Sequence, residues 1–250
     1  MDLRSCAQAT SRAATRVCSH VGDRWYGHRL VGDAVQRLAR DPAENGKIVK
    51  AAARRLGADA VGICAVDAAW LAERPARGAL GPDGEGLGWA VVLGFAMDIG
   101  RIRQGDDEAS AESRIGYMRM AVTAAAVAEF LAELGHATMP LGNQRVASVP
   151  LAIRAGLGMR GRNGLLLHPD HGPCLRLAKV LTDLPLASDA AGSTELADVC
   201  TACDACAVGC PAGAIATGKD AHGASSACPD YWRQGHRGCA RCIAACPASG

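Results

Sequence analysis

A chain of 250 residues that is 49% hydrophobic has room for one or two domains, each with its own apolar core. Its 27 Lys and Arg residues against 25 Asp and Glu residues give a net charge of +2. This balance does not predict binding to nucleic acid or to a membrane surface, so we expect small molecules and redox proteins as partners.

The N-terminal region carries no export signal that the sequence reveals. The first 40 residues are rich in Arg, Ser and Ala, and they lack the apolar core of a secretory signal. No stretch of the chain approaches the run of about 18 apolar residues that predicts a membrane span. We therefore expect a loosely ordered N-terminal extension at residues 1–45, no membrane segment, and a cytoplasmic location.

An α/β pattern occupies residues 46–193, which we take as one domain. The apolar spacing of NGKIVKAAARRLG predicts a helix ending at Gly57, and DAVGICAV and WAVVLGFAM are predicted buried strands. The longest predicted helix runs from Ser110 to Leu134, followed by a strand in HATMPLG, a short helix in LAIRAG and a strand in LLLHP. A linker at 187–193 separates this core from a cysteine-rich module at 194–250.

Residues 200–211, CTACDACAVGCP, have the C-x-x-C-x-x-C-x-x-x-C-P spacing of bacterial ferredoxins. In that pattern three thiolates bind one 4Fe-4S cluster and the fourth binds its neighbour. The crossed arrangement predicts a first cysteine set of Cys200, Cys203, Cys206 and Cys246, and a second cysteine set of Cys210, Cys228, Cys239 and Cys242.

Zinc and disulfide bonds are the two alternatives for these cysteines. Paired C-x-x-C groups also bind structural zinc, but zinc does not explain the three-residue step to a Cys-Pro that occurs twice. Disulfide scaffolds are usually small secreted domains without a sufficient apolar core, whereas this chain is large and nearly half apolar.

Two other motifs are expected to have no cofactor role. GLGMRG, residues 156–161, satisfies G-x-G-x-x-G, but a predicted helix precedes it and a strand follows, the reverse of a dinucleotide site. DAHGAS, residues 220–225, nearly matches the D-x-H-x-x-G element by which some cobalamin proteins offer a histidine to cobalt, but Ser225 replaces the glycine. We interpret His222 as a loop residue.

From about residue 47 to 247 the sequence resembles the cobalamin-dependent reductive dehalogenases. The resemblance rests, in the family's order, on NGKIVKAAARRLGADAVGI, WAVVLGFAMD, RIGYMRM, LGNQRVASVPLAIRAGLGMRGRNGLLLHPDHG, RLAKVLTDLPL, both cysteine sets and CPDYW. Epoxyqueuosine reductases share this core and module, but they usually carry a tryptophan and a lysine where this chain has MRGRN.

The resemblance implies a nitroreductase-like α/β core that binds cobalamin without a protein ligand below cobalt, followed by a ferredoxin-like module with two 4Fe-4S clusters. It also implies that the glycine-rich segment contacts the corrinoid through Gly158, Gly161, Arg162 and Asn163. The implied partners are a halogenated small-molecule substrate and an external electron donor such as a ferredoxin or flavodoxin.

Respiratory members place a tyrosine, an asparagine and an arginine over cobalt, and the matching residues here are Tyr117, Asn143 and Arg176. Reductive cleavage of a carbon-halogen bond takes two electrons and a proton. Tyr117 would donate the proton, Arg176 would stabilise the phenolate left behind, and Asn143 would orient the tyrosine or the substrate. Without the resemblance, these residues would be interpreted as a core tyrosine, a strand-edge charge and a turn residue.

Two departures from the family pattern bear on the predicted function. GPCLRL has Cys174 where an arginine is usual, and we expect this thiol to be passive. Much of the N-terminal region of respiratory members has no counterpart here, which would leave the pocket open. The leading hypothesis is a reductive dehalogenase; the alternatives are an epoxyqueuosine-reductase-like enzyme, or a cobalamin-binding or electron-transfer protein without its own substrate.

Overall fold

The computed structural model describes residues 15, 18–19, 21–31, 41–67, 84–143, 145–191, 196–218 and 224–250. The predictions made for His222, for most of the N-terminal extension and for the last two residues of the linker lie outside these ranges.

Helices and strands alternate through the first two thirds of the described chain. The helices are Pro42–Arg55 (α1), Ile99–Ile102 (α2), Asp106–Glu133 (α3), Ser148–Arg154 (α4), Ala197–Ala202 (α5), Ala205–Val208 (α6), Ala227–Arg233 (α7) and Arg241–Ala244 (α8). The strands are Ala60–Ala65 (β1), Trp89–Ala96 (β2), Thr138–Leu141 (β3), Met159–Arg160 (β4), Leu166–Leu167 (β5) and Leu175–Thr182 (β6).

Four strands form one antiparallel sheet in the order β1-β2-β6-β3. Along β2, Val91, Leu93 and Phe95 face α1 and α3, while Ala90 and Val92 face α4. Alternate side chains of a strand point to opposite faces, so both faces of this sheet are covered by helices. Burial on both sides explains the unbroken apolar run WAVVLGFA, and the predicted strands at β1 and β2 are confirmed.

Helix α3 is the central helix of the core. It begins with Asp106, Asp107 and Glu108, whose carboxylates suit the positive end of the helix dipole. Among the described residues it is the one helix that is long and apolar enough to cross a membrane by length and composition. Because 56% of its most apolar window is buried within the protein and packs on the sheet, its composition is that of a core helix.

Residues 21–31, within the predicted N-terminal extension, contact this core. They include a helical segment at 21–25, and the amide of Leu30 donates to the carbonyl of Thr138 at 2.8 Å. The amide of Thr138 donates back to the carbonyl of Leu30 at 2.9 Å. This part of the extension therefore adds a bridge to the free edge of β3.

The glycine-rich segment forms a hairpin between β4 and β5. Helix α4 precedes GLGMRG, β4 lies within it and β5 follows it, so the prediction that this motif does not open a helix is confirmed. A Cβ on Gly158, whose φ is +143°, would stand 2.0 Å from the carbonyl oxygen of Leu167. Glycine is therefore required where the two arms of the hairpin meet.

The cysteine-rich module consists of the short helices α5 to α8 and a final 3-10 turn. It packs against the core through an apolar cluster that includes Met97, Ile102, Ala240 and Ile243. The Arg103 guanidinium donates to the carbonyl oxygens of Ala244 at 3.3 Å and Gly250 at 2.9 Å. The module is thus attached to the end of the sheet where α2 and α3 begin.

Candidate functional site

The predicted catalytic residues meet at the hydroxyl of Tyr117. Arg176 Nη1 donates to Tyr117 Oη at 3.1 Å, and Asn143 Nδ2 donates to the same oxygen at 3.2 Å. The guanidinium carbon of Arg176 also lies 4.6 Å from the centre of the Tyr117 ring. We call these three residues the Tyr117 centre. Two donors on one phenol oxygen stabilise negative charge there and leave the hydroxyl proton free to point elsewhere.

Helix α3 and strand β6 hold Arg176 in this position. Its Nη2 donates to Ser113 Oγ at 2.7 Å, one turn before Tyr117 on the helix. Gly116 leaves space for the Arg176 side chain, because a Cβ at Gly116 would stand 2.8 Å from Arg176 Cγ. Among the described residues, Arg176 Nε is buried without a hydrogen-bond partner.

The loop that carries Asn143 is held by a lysine that sequence reasoning missed. Lys179 lies on β6, fully buried, and its Nζ donates to the carbonyl oxygens of Gly142 and Val146 and, at 2.9 Å, to Ser148 Oγ. These acceptors stand at the two ends of the loop that carries Asn143. Burial lowers the pKa of Lys179 to about 7.

A cavity of about 360 Å³ borders the Tyr117 centre. Tyr117, Asn143 and Met120 line one side, and Cys18 and Tyr26 of the N-terminal segment line the other. The Tyr26 hydroxyl is buried without a partner, so it is a second polar group available to a ligand. The volume is within the range of about 300–1,000 Å³ usual for small-molecule sites, and it fits an organic cofactor or substrate. The N-terminal segment therefore supplies a wall that was expected to be missing.

The residues predicted to contact the corrinoid all lie in or beside the β4–β5 hairpin. Gly158 and Gly161 allow close approach of its two arms, and Asn163 Oδ1 accepts the Leu165 amide at 3.1 Å, which fixes the turn. The Arg162 side chain instead reaches the cysteine-rich module, where it bonds to main-chain carbonyls. Corrinoid binding by these four residues stays a prediction.

The first cysteine set converges on one cavity. Cys200, Cys203, Cys206 and Cys246 line it together with Arg162 and Asn163 of the hairpin. Burial raises the pKa of Cys206, and the nearby Cys200 and Cys246 thiols raise it further. Burial is also the main cause of the raised pKa of Cys246. Cys246, at the far end of the module, thus stands with the first three cysteines of the CTACDACAVGCP run.

The second cysteine set is grouped in the same way. Burial raises the pKa of Cys242 to about 12, and Cys239, Cys228, Cys206 and Cys210 add to the effect in that order. The pKa of Cys228 is raised by burial and then by Cys210 and Cys239. Cys210 therefore lies with the second group, and Cys206 of the first group is close by. The structure brings both predicted sets together.

The described thiols do not form a site for a single metal ion. Among the residues that the structure describes, no three Cys, His, Asp or Glu side chains are arranged to hold one metal ion. In a 4Fe-4S cluster each thiolate binds a different iron, so the four sulfurs surround a larger object than a single ion. Binding of two such clusters by the two cysteine sets stays a prediction.

The two other described cysteines of the core have structural surroundings. Cys174 is buried at the junction with the module, and its Sγ donates to the Met97 carbonyl at 3.4 Å. Burial raises its pKa to about 11, and burial raises that of Cys64, inside the core, to about 12. Because both pKa values lie well above 7, both thiols stay protonated at neutral pH, and neither lines the cavity at the Tyr117 centre.

Comparison with known proteins identifies the relatives of this architecture. No family model matches the chain. Tetrachloroethene reductive dehalogenase from Dehalobacter restrictus is 33% identical over 262 residues, covering 81% of this chain and 48% of the relative. The solved catabolic reductive dehalogenase NpRdhA, in complex with 3-bromo-4-hydroxybenzoic acid, matches 99% of this chain and 37% of that one, with a TM-score of 0.76 and 25% identity.

The chain is a reductive dehalogenase homologue. The resemblance predicted from the motifs is confirmed, as is a mixed α/β fold shared with the dehalogenases. This homologue spans about half the length of the curated relatives it matches.

The epoxyqueuosine reductases are more distant relatives of this dehalogenase homologue. A solved epoxyqueuosine reductase matches 82% of this chain and 66% of that chain, with a TM-score of 0.58 and 16% identity, which shows a common fold. Similarity to epoxyqueuosine reductase from Listeria monocytogenes is 36% identity over 70 residues, or 28% of this chain. The similarity to the dehalogenases extends much further along the sequence.

Proposed function

We propose that this homologue is a cobalamin- and iron-sulfur-dependent reductase that removes halide from a halogenated organic compound. The observation that carries the proposal is the Tyr117 centre, a phenol held by two donors at the edge of a ligand-sized cavity. Both the tyrosine and its two supports match the residue types that the family places over cobalt.

The proposed reaction adds two electrons and a proton to a carbon-halogen bond and yields a carbon-hydrogen bond and a halide ion. Bound cobalamin would supply the strongly reducing cobalt, and a ferredoxin-like module with two 4Fe-4S clusters would deliver the electrons. Tyr117 donates its phenolic proton toward the cavity. Arg176 and Asn143 then stabilise the phenolate through the hydrogen bonds they already make.

The first cysteine set would hold the cluster next to the core. Its cavity is lined on one side by Arg162, Asn163 and Leu167, which all belong to the core hairpin. The second set would then receive electrons from an external donor such as a ferredoxin or flavodoxin and pass them inward. A cytoplasmic location stays a prediction and rests on the many unpaired thiols, which a reducing compartment protects.

The substrate class we propose is the halogenated phenols. The NpRdhA relative is known in complex with 3-bromo-4-hydroxybenzoic acid, a brominated phenol. In this chain the Tyr26 hydroxyl, which has no partner among the described residues and belongs to the cavity lining, is a polar group able to bind a phenol oxygen or a carboxylate. The cavity also has an apolar wall at Met120 for an aromatic ring.

Anaerobic reconstitution of the full chain with iron, sulfide and a corrinoid tests the proposal. We expect about eight iron atoms and one corrinoid per chain, and bromide release from 3-bromo-4-hydroxybenzoic acid under reducing conditions. A chain that binds clusters but takes up no corrinoid would contradict the proposal and indicate an electron-transfer protein. Full cofactor content with turnover of an epoxyqueuosine tRNA, and none of a halogenated compound, would indicate the other enzyme class.

A further inference from the structure

Arg162 is a buried cation whose side chain bonds to the turn that carries the first three cysteines. It is 3% exposed, and its Nε donates to the Cys203 carbonyl at 3.0 Å. Its Nη2 donates to the carbonyls of Thr201 at 3.0 Å and Cys200 at 3.5 Å, and its Nη1 donates to that of Gly218. Carbonyl dipoles fix the guanidinium in place but leave its net charge.

Within the part of the chain that the structure describes, one carboxylate stands near this guanidinium. Asp204 Oδ1 lies 3.5 Å from Arg162 Nε, but the Asp204 side chain is 46% exposed and largely solvated. A solvated carboxylate screens a buried cation only in part. The positive charge of Arg162 therefore acts on its buried neighbours.

Those neighbours are the thiols of the first cysteine set. Arg162 lines the same cavity as all four of them. Its main-chain amide, moreover, donates to Cys200 Sγ at 3.3 Å. One residue of the core thus brings both a positive charge and an N–H···S hydrogen bond to the place where we put the inner cluster.

We propose that Arg162 raises the reduction potential of the cluster held by the first cysteine set, and so makes it the electron acceptor that faces the core. Uptake of one electron from an external donor adds one negative charge to the cluster and its thiolates, while the donor is oxidised by one electron. No covalent bond forms or breaks. A buried cation and a hydrogen bond to sulfur both favour the more negative, reduced form.

This inference rests on the proposed function, because it requires clusters at both cysteine sets. It gives the two clusters different roles. The second set has no such arginine among the contacts described for it, so its cluster should take up electrons at a lower potential. Electrons would then move from the second cluster to the first and on toward the Tyr117 centre.

The test is a redox titration of the anaerobically reconstituted full chain, with both clusters followed by electron paramagnetic resonance. We expect Arg162→Gln to lower one of the two midpoint potentials by about 59 mV, which is a tenfold change in the ratio of reduced to oxidised cluster. The midpoint potentials of Arg162→Lys, which keeps the charge, should stay close to those of the wild type. Arg160→Gln is the matched control, since it removes an exposed charge two residues away and should move neither potential.

The outcomes distinguish failure of the role proposed for Arg162 from failure of the proposed function. An unchanged pair of potentials in Arg162→Gln, or an equal shift of both, would overturn the role of Arg162 while leaving the clusters in place. Absence of cluster signals in the wild-type chain would overturn the proposed function itself.

If Arg162→Gln loses the first cluster because the arginine holds its turn, Asp204→Asn decides. Removing this carboxylate leaves the bonds of Arg162 to the main chain intact and strengthens the field of the arginine. A rise in one potential that exceeds the shift in Asp198→Asn, which removes an exposed carboxylate two residues before Cys200, supports the proposal, and a shift no larger than that of this control contradicts it.

Discussion

The Tyr117 centre and the cysteine-rich module are built in opposite ways. The predicted cluster ligands of the module lie mostly close together in sequence, apart from the crossed Cys210 and Cys246, and several lie in or beside its short helices. The Tyr117 centre draws on α3, the loop after β3, and β6, so it exists only when the sheet is complete. The proposed electron supply is therefore encoded largely by the local spacing of the cysteines, whereas the proposed proton donor depends on the whole core.

The largest effect should come from breaking the crossed ligand pattern. Cys246→Ala removes a ligand from the first set, so we expect it to lose about four of eight irons and all turnover. The crossing is tested by which electron paramagnetic resonance signal disappears, compared with Cys242→Ala, which should remove the other. Cys64→Ala, a substitution in the core, should keep both signals. If Cys246→Ala and Cys242→Ala lose the same signal, the crossed pattern is refuted.

The next largest effect should come from the proton donor. Tyr117→Phe removes the hydroxyl but keeps the ring, and we expect halide release to fall about 10²–10⁴-fold, the usual contribution of a general acid. Iron and corrinoid content should be unchanged, which shows that the loss of activity comes from the core site and not from the module. Tyr231→Phe, the same chemical change in the module, is the control, and equal losses in both variants would argue against Tyr117 as the donor.

A smaller loss should follow from displacing the support of Tyr117. In Gly116→Ala the new methyl would stand 2.8 Å from Arg176 Cγ, so the guanidinium must move away from the phenol. We expect a tenfold to about 10²-fold lower kcat, typical of a misplaced catalytic group, with both clusters retained. Gly88→Ala places its methyl in open space and should have no effect, so equal activity of the two variants would show that Arg176 need not hold this position.

The smallest effect concerns stability and its dependence on pH. Lys179 loses its proton above about pH 7 when folded but only near 10.5 when unfolded, so the unfolded state binds more protons between these values. The free energy of unfolding should therefore rise with pH across this interval. This rise should be larger in the wild type than in Lys179→Met by more than about 1.36 kcal/mol. Denaturant titrations at several pH values measure it, and Lys47→Met, at an exposed position, should keep the wild-type slope.

Much of the fold could be predicted from the sequence, because its signals are local. Buried strands appear as apolar runs, and the helix starting at Asp106 ends near a glycine, as expected. The approach of Arg176 to Tyr117 could not be worked out from spacing, since 59 positions separate them; only the family resemblance pointed to it. The cysteine sets, by contrast, are evident from spacing alone.

Two buried cations show where sequence reasoning failed. Lys179 lies among apolar residues in RLAKVLTDLPL, and because lysine is almost never fully buried, nothing suggested that it would hold the Asn143 loop. Corrinoid contact by Arg162 stays a prediction, but the bonds of its side chain to the cysteine turn were not foreseen. Most partners of both cations are main-chain carbonyls, which the identity of the neighbouring residues does not reveal.

The most direct measurement of the central claim is a single turnover of the reduced, reconstituted chain with its external reductant removed. On addition of 3-bromo-4-hydroxybenzoic acid, we expect both cluster signals to disappear and about one bromide to be released per chain, since each cluster supplies one electron. Tyr117→Phe should slow both events together. Clusters that stay reduced in the presence of substrate, with no bromide released, would contradict the account.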